Sequence, residues 1–289
     1  MQTLNGKELS ERILIKSSEA IINGGLQPRL DIIFVGEDAG SEIYVRKKQE
    51  AGTRVGVKVE IHRFIENSDA QVKELVAELS KNNAVHGIIL QLPAPGIDLK
   101  NVFKMIPPLK DVDGLNPETL GQLWHGNECL IPATAQAVIE ALDFIASSEQ
   151  QALKEWLFGK NVLIINRSLI IGKPLAALLT NLNATVTIAH SKTKDIENYL
   201  KRSEIVISGA GVAGLISAEK LMQNSIVIDA SFIKTEKGVC GDVGENDLSN
   251  VAAWVSPVPN GIGPLGVACL IANTVKAAEA AQTSEAEKA

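Results

Sequence analysis

The sequence predicts an α/β protein of two domains, and three observations lead to this class. Short apolar, β-branched segments alternate with helical patterns from end to end, which is typical of parallel sheets covered by helices on both faces. The length of 289 residues corresponds to about two domains. A hydrophobic content of 45% with 21% charged residues is average for globular proteins, which argues against disorder, collagen and coiled coil.

Three strands and two helices are expected in the first part of the chain. The strand candidates are residues 30–35, 55–61 and 85–90, and amphipathic stretches separate them at 41–51 and 69–82. The passage from Gln91 to Pro117 is rich in Pro and Gly and longer than an ordinary connection. Because long loops in compact domains are usually functional, we expect chemistry in this passage.

A second α/β unit follows. A helical pattern covers residues 133–145, and a closing helix with one apolar face covers roughly residues 265–281. Five further strands are expected between these helices, at residues 162–165, 185–189, 205–208, 226–228 and 254–256.

Composition excludes several classes of partner and site. The 28 Lys and Arg against 34 Asp and Glu give a net charge of −6, so no basic field exists to attract nucleic acid or anionic lipid. The apolar runs are far shorter than the ~18 residues of a membrane span, and the N-terminus has no signal-peptide core, which favours a cytoplasmic protein without a membrane partner. The three cysteines are far apart, without a CxxC pair or a clustered His, and predict neither a disulfide framework nor a metal site.

The segment that begins at Asn161 is a candidate dinucleotide-binding unit. Its sequence, NVLIINRSLIIGKPLAALLTNLNATVTIAHSKT, predicts a strand, a turn at residues 166–168, a helix beginning near Gly172 and Pro174, and a second strand. In a Rossmann unit the free amides of this helix N-terminus hold the pyrophosphate. The usual GxGxxG is absent, so glycine spacing alone leaves a nucleotide site and a plain structural βαβ unit both open.

The end of the second strand favours NADP over NAD. An NAD site requires an acid there for the ribose 2′-hydroxyl, whereas residues 190–193 are His, Ser, Lys and Thr, which can donate to a phosphate. Arg167, in the first turn, could reach the same place. The alternative is that Arg167 and Lys192 are merely solvated turn residues.

Ser41, Tyr44 and Lys48 share one face of a predicted helix. At 100° per residue, Lys48 returns to within about 20° of Ser41, with Tyr44 about 60° away, whereas Lys47 points elsewhere. The alternative is an ordinary amphipathic helix with a surface lysine and a packed tyrosine.

Two further polar residues lie where a ligand would bind an open parallel sheet. In GIILQLPAP, Gln91 follows the C-terminal end of a strand. In KDVDGLNP, Asp113 lies in a rigid turn, where its carboxylate can accept two parallel hydrogen bonds from an amino-pyrimidine edge. A turn cap before Gly114 is an equally reasonable local role for Asp113.

Seven motifs occur in order along nearly the whole chain: Y-x3-K, QLPxP, DVDG, RSxxxGxP, HSKT, GDV and PVPxGxGP. With them the chain resembles the bifunctional methylenetetrahydrofolate dehydrogenase/methenyltetrahydrofolate cyclohydrolase family. The resemblance implies a folate-binding catalytic domain of residues 1–138 and 267–289, a Rossmann-type NADP-binding domain of residues 139–266, and a cleft between them. It also implies that the closing helix returns to the first domain, that the protein forms a homodimer through its NADP domains, and that it serves purine biosynthesis.

The resemblance assigns roles residue by residue. Lys48 corresponds to the catalytic lysine, Gln91 to its partner, Tyr44 to the ring that stacks on the aminobenzoyl group, and Asp113 to the pterin anchor. Ser41 is expected among the substrate-binding residues. The expected contacts at the junction of folate and nicotinamide are Pro257, Val258, Gly261, Gly263 and Pro264. Arg167 and Ser191 fall on the 2′-phosphate contacts, and the expected cofactor-binding set is Asn166, Arg167, Ser168, Gly172, Ser191, Ala210 and Gly211.

The implied chemistry has two steps. Hydride loss from 5,10-methylenetetrahydrofolate needs alignment with the nicotinamide and no proton removal. Addition of water to the resulting methenyl cation needs a proton acceptor, and opening of the ring to 10-formyltetrahydrofolate needs a donor; Lys48 is the candidate for both. A free lysine would be protonated, so we expect burial against Tyr44 to depress its pKa while Gln91 orients it. A lysine that stays protonated and polarises water or folate is the competing mechanism.

The chain departs from the family pattern mainly on the nucleotide side. Asn166 replaces the first glycine of the GRS turn, where it could crowd the dinucleotide or accept a backbone of positive φ. PATAQA, at residues 132–137, replaces PCTPxG, while Asn260 and Gly266 replace a glycine and a threonine. These changes leave two alternatives to the bifunctional enzyme: a cyclohydrolase with weakened dehydrogenase activity, and a non-catalytic folate- or nucleotide-binding regulator. A third alternative, an unrelated NADP dehydrogenase of small metabolites, would have no use for the QLPxP and DVDG segments.

Overall fold

A computed structural model describes residues 1–236, 238–244 and 246–286. The elements of the first half are β1 (Gln2–Thr3), α1 (Gly6–Gly24), β2 (Arg29–Val35), α2 (Ala39–Val55), β3 (Lys58–Phe64), α3 (Asp69–Lys81), β4 (Gly87–Gln91), α4 (Leu99–Met105) and α5 (Pro117–His125). Those of the second half are α6 (Ala133–Ser148), α7 (Leu153–Trp156), β5 (Asn161–Ile165), α8 (Gly172–Asn181), β6 (Thr185–Ala189), α9 (Ile196–Leu200), β7 (Ile205–Ser208), β8 (Ser225–Asp229), β9 (Ile233–Thr235), β10 (Gly238–Cys240), β11 (Ala252–Val255) and α10 (Ile262–Ala286).

The chain forms two compact α/β units, which confirms the predicted fold class. One, here called the small-sheet unit, contains Glu11–Ala133 and the part of α10 from Val267 onward. The other, the large-sheet unit, contains Met1–Ser10 and Thr134–Gly266. No helix in the described ranges combines the length and the apolar character that a bilayer-spanning helix needs.

The domain boundaries differ from the expected ones at the N-terminus. The sequence places residues 1–138 in the first domain, whereas the structure assigns the first ten residues to the large-sheet unit. The physical reason is β1, which pairs in parallel with β11 and so extends the larger sheet. The later boundary lies at Thr134 instead of residue 139.

The small-sheet unit is built around β2. This strand pairs in parallel with β3 on one side and β4 on the other. Six of its seven residues are buried, as expected for a central strand covered on both faces. The expected strand at 55–61 begins later, at Lys58, because Val55 ends α2 and Gly56 adopts a left-handed conformation (φ 99°) that caps this helix.

The large-sheet unit contains a six-stranded parallel sheet in the order β1-β11-β8-β7-β5-β6. The chain passes from β5 to β6 on one side and then returns to place β7 on the other side of β5. The topology therefore reverses between β5 and β7, which is where such sheets bind ligands. The short antiparallel pair β9 and β10, which the sequence analysis did not predict, interrupts the path from β8 to β11.

Asn273 of α10 fixes the backbone of the small-sheet unit near the DVDG segment. Its buried side-chain amide donates to the carbonyl oxygen of Val112 at 2.9 Å and to that of Ile131 at 2.8 Å. A buried carbonyl that loses its hydrogen-bond donor is left unsatisfied, which lowers the stability of the folded state.

We therefore expect Asn273→Ala to lower the free energy of unfolding by about 2–3 kcal/mol, because two buried carbonyls lose their partner. Urea unfolding followed by circular dichroism measures the change. Gln282→Ala is the control, because this exposed residue of the same helix makes one surface hydrogen bond, to Gly24. Equal midpoints for both variants would contradict the structural role of Asn273.

Candidate functional site

The start of α2 directs Ser41 and Lys48 toward the end of β4. Asp38 caps the helix by accepting a hydrogen bond from the Ser41 backbone amide at 2.6 Å. The Ser41 hydroxyl then donates to the Leu92 carbonyl at 3.1 Å. Two turns further along the helix, Lys48 Nζ donates to Gln91 Oε1 at 2.8 Å. The structure thus brings Ser41, Lys48 and Gln91 together, as the shared helix face predicts.

Gln91 is fixed before any ligand arrives. It is the last residue of β4 and pairs in register with Phe34 of β2. Its Nε2 donates to the carbonyl oxygen of Leu92 at 2.9 Å, so its Oε1 is turned toward Lys48. An amide partner is neutral, so it holds the amine in place without the electrostatic stabilisation that a carboxylate would give the ammonium.

Burial lowers the pKa of Lys48, and the negative charge of Asp113 opposes this shift. Burial also raises the pKa of Asp113 to about 6, with Lys48 lowering it and Asp111 raising it further. The amine and the carboxylate are therefore electrostatically coupled. Tyr44, partly buried on the same face of α2, has its phenol pKa raised by burial.

The DVDG turn is capped by Asp111 and not by Asp113. The buried Asp111 carboxylate accepts hydrogen bonds from the backbone amides of Leu115 at 3.1 Å and Asn116 at 2.7 Å. Asp113 makes no side-chain hydrogen bond to another residue in the described part of the chain. The turn-cap alternative for Asp113 is therefore wrong, because Asp111 caps this turn. The carboxylate of Asp113 remains available to a ligand.

In the large-sheet unit, Asn166 occupies the turn after β5 in an unexpected way. It is not among the residues of positive φ, so the expected backbone role is wrong. Instead its Oδ1 accepts from the amides of Ser168 at 2.7 Å and Gly172 at 3.2 Å. A Cβ on Gly172 would lie 2.0 Å from the Asn166 carbonyl oxygen, so only glycine fits at the start of α8.

The ends of β5 and β6 suit a phosphate. Ile165 pairs with Ala189, so Arg167 and Ser191 each lie two residues beyond a matched pair on adjacent strands. Both side chains are exposed, and Arg167 has no ion-pair or hydrogen-bond partner among the described residues. No acid occurs in residues 190–194. These strand ends thus lack the carboxylate that would repel a 2′-phosphate and offer a free cation and a hydroxyl instead.

The turn after β11 is close-packed. A Cβ on Gly261 would lie 2.3 Å from the carbonyl oxygen of Pro257, and one on Gly6 would lie 1.9 Å from that of Gly261. Asn260 adopts φ 79°, a conformation that glycine and asparagine tolerate, so its replacement of a family glycine keeps the turn. Pro264 lies in the first turn of α10, which begins at Ile262, earlier than the expected residue 265.

The expected site residues fall into two groups by unit. Those of the small-sheet unit are Ser41, Tyr44, Lys48, Gln91 and Asp113. Those of the large-sheet unit are Asn166, Arg167, Ser168, Gly172, Ser191, Ala210, Gly211, Pro257, Val258, Gly261, Gly263 and Pro264. No site role was expected for Asp242 from the sequence, although its GDV motif was a signal. This carboxylate accepts from the backbone amides of Ala210 at 2.8 Å and Val212 at 2.7 Å.

Comparison with known proteins identifies a family domain in each half of the chain. The catalytic domain of tetrahydrofolate dehydrogenase/cyclohydrolase matches residues 4–113, and the NAD(P)-binding domain of the same family matches residues 132–282. The bifunctional protein FolD of Methanoculleus marisnigri is 39% identical over 279 residues, which are 96% of each chain.

Solved structures agree along nearly the whole length. The crystal structure of the bifunctional FolD from Campylobacter jejuni has a TM-score of 0.90 and 33% identity, covering 97% of this chain and 99% of its own. FolD of Trypanosoma brucei, solved with NADP and an inhibitor, has a TM-score of 0.88 and 31% identity, covering 96% and 97%. The chain therefore belongs to the tetrahydrofolate dehydrogenase/cyclohydrolase family and has both the catalytic and the NAD(P)-binding domain of that family.

Proposed function

We propose that this member of the family oxidises 5,10-methylenetetrahydrofolate to the 5,10-methenyl form with NADP and hydrolyses that product to 10-formyltetrahydrofolate. The hydrogen bond from Lys48 to Gln91, at the carboxyl end of β4, is the observation on which the proposal chiefly depends. We assign folate chemistry to the small-sheet unit and NADP to the large-sheet unit.

In the hydrolytic step Lys48 moves the proton. Water adds its oxygen to the methenyl carbon, and the neutral amine takes the proton that the water loses. When the carbon–nitrogen bond then breaks, the same ammonium returns the proton to the departing nitrogen. The hydroxyl on the former methenyl carbon gives its own proton to solvent as it becomes the formyl carbonyl, so one proton is released overall. A pKa lowered by burial increases the fraction of neutral Lys48 amine at a given pH. The hydrogen bond to Gln91 fixes the position of Lys48 Nζ.

The oxidative step asks little of the side chains except position. NADP, when bound, accepts the hydride at its nicotinamide. No proton leaves the folate, so the task of the chain is to align the two reactants. Burial of Tyr44 and Asp113 suits them to hold the aminobenzoyl and pterin groups in place.

Lys48→Met is expected to lower cyclohydrolase activity by about 100-fold or more, because methionine is unbranched and only one atom shorter than lysine but cannot move a proton. Decay of the methenyl absorbance, corrected for the uncatalysed rate, measures it. Lys47→Met is the matched control, since this neighbour is exposed on another face of α2. Full cyclohydrolase activity in Lys48→Met would remove Lys48 from the mechanism.

The pKa of Asp113 predicts how folate affinity depends on pH. The ionised carboxylate accepts two hydrogen bonds from the pterin, so it must lose its proton to bind well. Because its pKa is raised to about 6, the KM for folate should rise as the pH falls from 8 to 5, with a midpoint near 6. Asp113→Asn should bind folate weakly and without this midpoint. A midpoint that persists in Asp113→Asn belongs to another group.

The choice of NADP rests on Arg167 and Ser191. The Trypanosoma brucei relative was solved with NADP, and the strand ends here present an exposed arginine and a serine, with no acid in residues 190–194. We infer that Arg167 and Ser191 bind the 2′-phosphate, which NAD lacks.

Arg167→Ala should raise the KM for NADP by about tenfold and leave that for NAD within about twofold, because only the 2′-phosphate loses a charged partner. Initial dehydrogenase rates with each coenzyme measure the change. Arg46→Ala, which removes an exposed arginine of the small-sheet unit, should change neither value. An equal loss with both coenzymes would assign Arg167 to the shared part of the dinucleotide.

We propose that the protein acts as a cytoplasmic homodimer that contributes to purine biosynthesis. The family resemblance supports the homodimer and the pathway. An open sheet edge also supports the dimer: β6 is the last strand of the large sheet, and Ile188 on it is 38% exposed. The acidic net charge, which offers no attraction to anionic lipid surfaces, supports the compartment.

A further inference from the structure

Asp242 holds the loop that follows β7. Its side chain is fully buried, and its two carboxylate oxygens accept from the backbone amides of Ala210 and Val212 at 2.8 and 2.7 Å. The hydroxyl of Ser208, the last residue of β7, donates to the same carboxylate. A buried carboxylate is stable only when hydrogen bonds of this kind replace its water.

Two other side chains hold the same loop. Asn166 Nδ2 donates to the carbonyl oxygen of Gly209 at 2.6 Å, and the amide of Gly211 donates to Ser231 Oγ at 3.3 Å. Residues 209–212 are thus fixed from the turn after β5, from the turn after β8 and from the GDV segment at once. Loops held by side chains from three segments have little freedom to adjust to a ligand.

This loop is placed where a dinucleotide would bind. It begins at the carboxyl end of β7, next to β5, and the sheet reverses its direction between these two strands. The backbone amides of Ala210, Gly211 and Val212 are all occupied within the protein, so none is free for a phosphate. The loop can therefore contribute only its shape and apolar contacts to a ligand. The space beside Gly211 is open, because a Cβ added there would meet no atom within 4 Å.

We propose that Asp242 is a positioning residue for NADP, which acts by holding residues 209–212 in the shape that the cofactor requires. The inference rests on the proposed function, because it assumes that NADP occupies this edge of the sheet. Asp242 itself does not touch the cofactor. The two backbone amides that it binds determine the path of the loop, and the loop forms part of the wall of the site.

Asp242→Asn tests the proposal with an almost isosteric change. The amide keeps one acceptor oxygen but places an NH₂ group against a backbone N–H, so the loop must move. We expect the dissociation constant for NADP, measured by calorimetry, and the KM for NADP to rise by about tenfold. Cyclohydrolase activity, which uses no NADP, and kcat for the dehydrogenase at saturating NADP should stay within about twofold.

Two further variants make the test specific. Asp247→Asn is the control, because this exposed carboxylate accepts only within its own turn, from Ser249. Ser231→Ala releases the Gly211 amide and should raise the dissociation constant by about threefold. It also replaces Asp242→Asn as the deciding variant if the latter does not fold.

The outcomes distinguish a failure of the positioning role of Asp242 from a failure of the proposed function. Wild-type affinity for NADP in a folded Asp242→Asn protein overturns the positioning role, as does a parallel loss of both activities, which a merely structural residue would produce. Unchanged affinity in Ser231→Ala overturns it where Asp242→Asn is unfolded. A wild-type protein that does not bind NADP instead overturns the proposed cofactor and leaves nothing for Asp242 to position.

Discussion

Both sheets are wound in two directions from a central strand, and this constraint determines where the polar residues can act. From β2 the chain adds β3 on one side and β4 on the other; from β5 it adds β6 and then β7. Parallel strands end at one edge, and a crevice opens where the winding reverses because no crossover connection covers it. Gln91 lies at the reversal in the small sheet, and Asn166 at that in the large one.

The buried charged groups near the two sheet edges have different electrostatic surroundings. In the small-sheet unit the amine of Lys48 is held against the neutral side chain of Gln91, with Asp113 near enough to favour its charged form. The balance leaves the amine able to exchange a proton, which a close ion pair would resist. In the large-sheet unit the buried carboxylate of Asp242 is satisfied by backbone amides, so its charge serves to fix structure.

The sequence was sufficient where a local pattern determined the outcome. The strands at 185–189 and 205–208 are short runs rich in β-branched residues and appear as expected, and the spacing of Ser41 and Lys48 predicts that both face the end of β4. It was insufficient where partners are remote. Two residues of β1 have no pattern of their own and become a strand through β11. Likewise, the importance of Asp242 depends on a loop some thirty residues earlier, whose amides no motif identifies.

The first strand also has a consequence for biosynthesis. Gln2 pairs with Trp254, so a ribosome must translate roughly 250 further codons before β1 finds its neighbour. At cellular elongation rates the wait is on the order of tens of seconds. The small-sheet unit has a similar delay, because it needs the part of α10 after Gly266. Neither unit can complete its fold from one continuous stretch of the chain. A fragment that contains only the longer stretch of either unit would therefore lack secondary structure that the unit requires.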